Sequence, residues 1–142
     1  MGAGSSVDMI SPRIHISVPR NRDAYKHIID NIQDQLKEIG IIVTCTDTSE
    51  EQNSIYQNIR NAHAVIMCYC SNSTSCVAQA MEYSYLVDNF KKTYHVIIDP
   101  HNHTFLIDLH NRLGRDAIAV TSPHDVGAVI KEINNNHITM GR

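Results

Sequence analysis

The feature that most restricts the fold is a nearly continuous apolar run, AVIMCYC, at positions 64–70. A strand covered by protein on both faces has this composition, because neither set of alternating side chains meets water. A segment with helical spacing precedes the run, and a loop of small polar residues follows it. We therefore expect a central strand of a parallel sheet, with further strands beside it and helices above and below.

Strands and helices alternate along the rest of the chain. Residues 13–18, 41–45, 94–99 and 117–120 have the β-branched content and the flanking turn residues of strands. The spacing of apolar residues predicts the intervening helices, and Gly40 ends the first of them. The positions that define these helices are Tyr25, Ile28, Ile29, Ile32, Leu36 and Ile39, then Ile55, Ile59 and Ala62, then Val77, Ala80, Met81 and Ser84 on one face, and finally Val126, Val129, Ile130 and Ile133.

This alternation predicts an α/β protein with a doubly wound, flavodoxin-like, five-stranded parallel sheet and helices on both faces. We expect one domain at 13–133, after a flexible N-terminal lead at 1–12 and before a flexible tail at 134–142. Ligands of such folds bind beyond the carboxyl ends of the strands, where the strand order reverses. The loops expected at that edge are 19–23, 46–53 and 71–75.

Composition argues against several classes of function. The net charge is −3, and no basic stripe appears, so we expect no nucleic-acid partner. No apolar run approaches the roughly 18 residues of a membrane span. The four cysteines form no CxxC pairs, which favours reduced thiols and a cytoplasmic location. The HNH segment at 101–103, even with His110, lacks a third ligand at a suitable spacing, so no metal site is predicted.

The N-terminal sequence MGAGSSV matches the myristoylation pattern M-G-x-x-x-[ST], which would expose Gly2 after removal of Met1. A single acyl chain gives only weak, reversible membrane contact, and no polybasic segment follows as a second signal. The alternative interpretation is a flexible Gly/Ser lead. A peripheral membrane contact is therefore expected only if Gly2 is acylated.

Four segments carry a family resemblance through their order and spacing. They are IHIS at 14–17, GIIVTCTD at 40–47, SIYQNIRNAHAVIMCYCSNS at 54–73 and STSCVAQAMEYS at 73–84. In this order they resemble the opening strand, the second strand with its terminal Asp, the helix with its central strand, and the S-x-x-C-x-x-E-x-x-Y-A box of TIR (Toll/interleukin-1 receptor) domains. The resemblance runs from about residue 13 to residue 133.

The resemblance implies two kinds of activity. Many TIR domains are signalling modules, including modules of innate immunity, that assemble with other TIR domains. Some cleave NAD, and a Glu three residues after the box Cys then assists the loss of nicotinamide. That position holds Gln79 here. A carboxylate can stabilise the cation-like sugar of C–N cleavage, whereas an amide is expected to keep the hydrogen bonds and lose the charge. We therefore expect a self-associating or recruiting module of weak or absent catalysis, without a cofactor.

Glu82 is the alternative acid, three residues after Gln79 and about 60° round the same helix. It would serve a NAD-cleaving nucleosidase or a nucleoside deoxyribosyltransferase-like enzyme, with NAD as a possible substrate. The competing interpretation is a solvated helix carboxylate, which is common for Glu. The residues expected to contact a ligand nearby are Ser17, Arg20, Asp47, Ser71, Ser73 and Cys76.

Most of these ligand contacts also have a structural interpretation. Asp47 could meet a ribose or form an Asx-turn, and Arg20 could meet a phosphate or remain a solvated turn charge. Ser71 and Ser73 could donate to a ligand or cap the following helix. Cys76 could be a reactive thiol near a helix N-terminus or a packing residue.

Overall fold

A computed structural model describes residues 12–19, 25–46, 52–71, 73, 76–99 and 103–138 of the chain. Within them lie five strands: β1 at Arg13–Ser17, β2 at Ile42–Cys45, β3 at Ala64–Tyr69, β4 at Lys92–Ile98 and β5 at Ala117–Val120. The same residues form five α-helices: α1 at Lys26–Glu38, α2 at Gln52–Asn61, α3 at Val77–Asp88, α4 at Thr104–Leu113 and α5 at Val126–Ile133. Short 3-10 turns occupy Gly114–Asp116 and Pro123–Asp125, and a π-helical turn follows α5 at Asn134–Ile138.

The five strands form one parallel sheet in the order β2-β1-β3-β4-β5. Ile16 of β1 pairs with Cys45 of β2 on one side and with Ile66 of β3 on the other. The sheet continues through β4 to β5, where Val96 pairs with Ile118. The predicted flavodoxin-like, doubly wound α/β fold is therefore confirmed. The strand order reverses between β1 and β3, so the edge beyond these two strands is the expected ligand position.

The two faces of the sheet differ because side chains alternate along each strand. On β1, Ile14 and Ile16 enter the large core beneath α1 and α5, whereas His15 and Ser17 point to the opposite face. That opposite face is covered by α2, α3 and α4. Its apolar cluster consists of Ile55, Ile59, Ala62, Val65, Met67 and Leu86.

The periodic helices pack as their sequences predict. In α1 the buried residues are Ile28, Ile29, Ile32 and Leu36, and in α5 they are Val126, Val129 and Ile133. Gly40 has φ +89°, the left-handed conformation that glycine adopts without strain. The Ile41 amide beyond it donates to the Leu36 carbonyl at 3.1 Å, which closes the helix end.

Helix α3 turns its apolar face outward, a difference from an ordinary amphipathic helix. Val77 is 72% exposed and Met81 49%, whereas Glu82 and Leu86 are almost completely buried. The helix carries apolar residues around most of its circumference, so periodicity alone does not choose the inward face. Hydroxyl groups at the carboxyl ends of β1 and β2 lie beneath α3. The helix therefore turns inward the polar side chains that can form hydrogen bonds there.

Several boundaries shift by one to a few residues from the predicted ones. β1 ends at Ser17, β3 ends at Tyr69, and β4 begins at Lys92. α5 ends at Ile133 as expected, and helical backbone then continues as the π turn Asn134–Ile138. Residues 1–11, including Gly2, and 139–142 lie outside the described residues. Among the helices of the described chain, none has the length and apolar content needed to cross a bilayer.

Candidate functional site

A buried polar cluster lies where the carboxyl ends of β1, β2 and β3 meet α3. Ser17 is the last residue of β1, and Thr46 directly follows β2. Gln79 and Glu82 reach this point from the inner face of α3. Ser17, Thr46 and Glu82 are 0% exposed, and Gln79 is 3% exposed. The cluster therefore occupies the edge where a doubly wound sheet binds its ligands.

Glu82 is the centre of this cluster. Its Oε1 accepts a hydrogen bond from the Ser17 hydroxyl at 2.9 Å and another from the Thr46 hydroxyl at 2.9 Å. Both partners come from distant strands, so the carboxylate joins β1, β2 and α3. The interpretation of Glu82 as a solvated helix carboxylate is wrong, because the folded sheet removes this side chain completely from water.

Gln79 acts as a hydrogen-bond donor, whereas Glu82 acts as an acceptor. Its Nε2 donates to the Cys68 carbonyl at 2.7 Å and to the Ser17 carbonyl at 3.3 Å. Because carbonyls only accept, these two contacts fix the orientation of the amide. An ionised Glu could make neither contact. The expectation that Gln79 keeps the hydrogen bonds of a carboxylate therefore does not hold for this pair.

His15 extends the cluster along the same face of the sheet. Its Nε2 lies 3.2 Å from the Thr46 hydroxyl oxygen, and its Nδ1 lies 2.8 Å from that of Thr44. Because Thr46 donates its proton to Glu82, its oxygen is left to accept from the Nε2–H of His15. In a neutral ring Nδ1 then accepts from Thr44. The chain of contacts from Thr44 through His15 and Thr46 ends at Glu82.

Sequence reasoning overlooked His15, Thr44 and Thr46 as members of the site. The signal was present in RIHISV, because period-two alternation places His15 and Ser17 on one face and the isoleucines on the other. The parallel register pairs His15 with Thr44. That pairing requires the tertiary structure, because the two residues are 29 positions apart.

The other predicted ligand contacts lie close to this edge and serve local structure. The Ser71 hydroxyl lies 3.4 Å from the Tyr25 hydroxyl. Ser73 Oγ accepts from the Cys70 amide at 3.1 Å, so it shapes the turn after β3. The residue that caps α3 is Cys76, whose side chain makes no capping hydrogen bond. Arg20 and Asp47 lie outside the described residues.

The four cysteines, all within the described residues, form no disulfide. Cys68 and Cys70 are buried, and Cys45 and Cys76 are partly exposed. Burial raises the pKa of the Cys68 thiol well above its usual value, which keeps it protonated and unreactive. Across the described ranges, no three His, Cys, Asp or Glu side chains are grouped so that they could hold a metal ion.

The site thus combines a buried carboxylate, two hydroxyls and a histidine with an amide that secures two strand ends. No protein-family model matches this chain, and no curated protein matches it significantly. The similarity to TIR domains stays a resemblance in sequence pattern, and the chain's own geometry carries the functional proposals.

Proposed function

We propose that this protein is an interaction module of TIR type that works by self-association through the outer face of α3. The α3 outer face comprises Val77, Met81, Tyr83 and Val87, together with Phe90 just beyond the helix. These side chains are 72%, 49%, 42%, 49% and 95% exposed, in that order. Apolar side chains scattered singly over a surface are ordinary, whereas five large ones exposed along one helix and its end favour an interaction site.

The charge pattern of α3 supports this proposal. The helix has the sequence VAQAMEYSYLVD, in which Glu82 is buried and Asp88 is the one charged residue left at the surface. Depletion of charge with enrichment of aromatic and Met side chains distinguishes the core of a protein interface from ordinary surface. Asp88 beside Met81 is thus the one charge that α3 itself offers to an oppositely charged partner. The α3 outer face fits a second copy of itself around a two-fold axis.

Phe90 is the single observation that carries the proposal. It has φ +54°, in the left-handed region, although it is bulky and 95% exposed. The Lys91 amide, which follows Phe90, donates to the Leu86 carbonyl at 3.0 Å and closes the end of α3. In this type of helix end, glycine is preferred at the position that Phe90 occupies. A non-glycine residue in this conformation costs about 1–2 kcal/mol. Burial of the ring against a partner would offset both this strain and the exposure.

Light scattering across protein concentration tests the self-association. We expect the native protein to form dimers or larger species, and Phe90→Gly and Met81→Ser to shift assembly to at least tenfold higher concentration. Ile107→Ser is the matched control, since Ile107 is an exposed apolar residue on α4, 43% accessible. A native protein that stays monomeric at the highest concentration would refute the proposal. Equal loss of assembly in Ile107→Ser would refute the assigned surface.

Glu82 supports a second candidate function, a nucleosidase acting on NAD. A buried carboxylate at the reversal of strand order is where this fold class positions ligand chemistry. In this candidate Glu82 would stabilise the positive charge that develops on the ribose as nicotinamide leaves. The Ser17 and Thr46 hydroxyls would hold its orientation through the contacts to Oε1.

Release of nicotinamide from NAD by concentrated, assembled protein tests this candidate. If the activity exists, Glu82→Gln should lower the rate by at least about 100-fold, because it removes the charge and keeps an acceptor for both hydroxyls. Glu38→Gln, at an exposed carboxylate of α1, should leave the rate unchanged. Absence of release from the native assembly would leave the interaction module as the function.

A further inference from the structure

A groove of about 300 Å³ lies between α3 and α4, above β3 and β4. This volume is at the lower end of the roughly 300–1,000 Å³ typical of small-molecule sites. The groove is on the inner side of α4, and it shares Tyr83 with the α3 outer face. Its lining residues are Met67, Tyr69, Ser73, Gln79, Ala80, Tyr83, His95, Phe105, Leu109 and Leu113.

Gln79 supplies a polar atom to this groove. Its amide nitrogen is committed to the carbonyls of Ser17 and Cys68, as described above. Its Oε1 accepts no hydrogen bond from any residue in the described part of the chain. The residue is only 3% exposed and lines the groove. The amide oxygen therefore keeps its lone pairs for a donor from outside the chain, and an N–H brought by an occupant of the groove would pair with it.

The walls of the groove favour a flat ring. Tyr69, Tyr83, His95 and Phe105 contribute four aromatic side chains. The Tyr69 and His95 rings are 6.0 Å apart and nearly parallel, at 10°, and the Tyr83 ring lies 6.5 Å from that of His95 at 51°. These rings pack against one another, and the faces and edges that they turn to the groove are suited to stacked and edge contacts with a planar aromatic ligand.

The lining residues that the structure describes offer no full charge to an ionic ligand. None of them is Asp, Glu, Lys or Arg. Burial lowers the pKa of His95, with a smaller opposing effect of Asp116, so the imidazole is neutral near pH 7. A charged ligand would lose its hydration here without gaining a counter-charge.

We propose that the α3–α4 groove binds a small, neutral aromatic compound that donates one N–H to Gln79 Oε1. The proposal does not depend on self-association or on NAD cleavage. It assigns Gln79 two roles, since the nitrogen holds the ends of β1 and β3 and the oxygen recognises the ligand.

Indole and benzofuran form a matched pair of probes, because they share a shape and only indole carries an N–H. The protein contains no tryptophan, so the fluorescence of added indole reports binding without background from the same chromophore. We expect saturable binding of indole, accompanied by a blue shift of its emission. Benzofuran should displace it only at tenfold or higher concentration. Failure of indole to bind, or equal affinity for the two probes, would overturn the proposal.

Two variants and one control locate the binding. Ala80→Phe should fill the groove from its exposed rim and abolish binding of both probes, while Asn111→Phe, on α4 outside the groove, should bind indole normally. Gln79→Met should reduce the affinity for indole to that for benzofuran. Ala80 is exposed, so its variant is expected to fold even if Gln79→Met does not. Unchanged indole affinity in Ala80→Phe would place the site elsewhere and refute the proposal.

Discussion

Gln79 and Glu82 lie one turn apart on α3 and cannot exchange their side-chain types. Gln79 donates to two main-chain carbonyls, and Glu82 accepts from two hydroxyls. Each position is buried, so the polarity of each hydrogen bond determines which side chain is tolerated. A carboxyl and its amide are nearly the same size, and donor and acceptor chemistry alone distinguishes these positions.

The first prediction concerns Gln79→Glu. The variant loses both donated hydrogen bonds and directs a buried carboxylate at two carbonyl oxygens, so we expect a loss of about 2–4 kcal/mol of stability. The loss should shrink as the pH falls to about 4–5, because a protonated carboxyl can donate one hydrogen bond. Urea denaturation at both pH values measures the effect. Gln57→Glu, exposed on α2, is the control and should change little.

A Gln79→Glu variant as stable as the native protein at neutral pH would contradict the assigned orientation of the amide. It would also show that a carboxylate is accommodated at the position where TIR-type NAD cleavage places its Glu. Assay of nicotinamide release by that variant would then become informative about catalysis.

The second prediction concerns His95, whose pKa is lowered from its ordinary value of 6.5 mainly by burial. Below about pH 6.5 the unfolded chain binds this proton more readily than the folded chain does. Above the pKa of the unfolded chain, the neutral ring therefore makes its full contribution to the free energy of unfolding. That contribution is lost as the pH falls through the lower pKa of the folded protein. His95→Gln should flatten the decline in urea midpoint between about pH 7.5 and 5.5.

His27→Gln is the control for His95→Gln, because His27 is exposed on α1. It should leave the pH dependence of stability as in the native protein. The Gln at position 95 keeps an acceptor for the Tyr69 hydroxyl, which lies 3.2 Å from His95 Nδ1. An undiminished decline in His95→Gln would assign the acid sensitivity to other groups.

At the level of elements, α3 differs from the other helices because it serves two surfaces. Its inner face brings Gln79 and Glu82 to the ends of the strands, and its outer face presents Val77 and Met81 to solvent. Helices α1 and α5 bury their apolar faces in the conventional way. The contrast follows from what lies beneath each helix, since α1 covers isoleucines of β1 while α3 covers its histidine and serine side.

The third prediction concerns the end of α3. Phe90→Gly should raise the stability of the monomer by up to about 1 kcal/mol, because glycine adopts the left-handed conformation without the steric cost that a phenylalanine pays. Thermal or urea denaturation at concentrations below assembly measures this change. Asn89→Gly is the control, because Asn89 has φ −99° and glycine there should only destabilise. A less stable Phe90→Gly monomer would show that the ring packs within its own chain.

In the whole molecule, the two faces of the sheet differ in what they bury. The face beneath α1 and α5 holds the larger core, which extends from Ile14 to Ile133. The opposite face has a smaller apolar cluster, the buried polar site and the α3–α4 groove. The main core and the proposed ligand sites therefore lie on opposite sides of one sheet.

The fourth prediction follows from this separation. Amide hydrogens of α1 should exchange more slowly than those of α4, because α1 buries four apolar side chains whereas α4 buries only Leu106 within the described residues. Hydrogen exchange followed by mass spectrometry resolves the two helices. Saturating indole should slow exchange in α4 and leave α1 unaffected. Equal protection of α1 and α4 in the free protein would contradict the assignment of the main core to one face.

The sequence by itself determined the α/β alternation, the apolar central strand, the inward faces of α1, α2 and α5, and the helix stop at Gly40. These features depend on local periodicity and backbone preference, which residues close together in the sequence determine. Only the tertiary structure decided the orientation of α3 and the burial of Glu82. The reason is physical: the hydroxyl donors of Glu82 lie 65 and 36 residues away along the chain, and only the assembled sheet brings them beneath the helix.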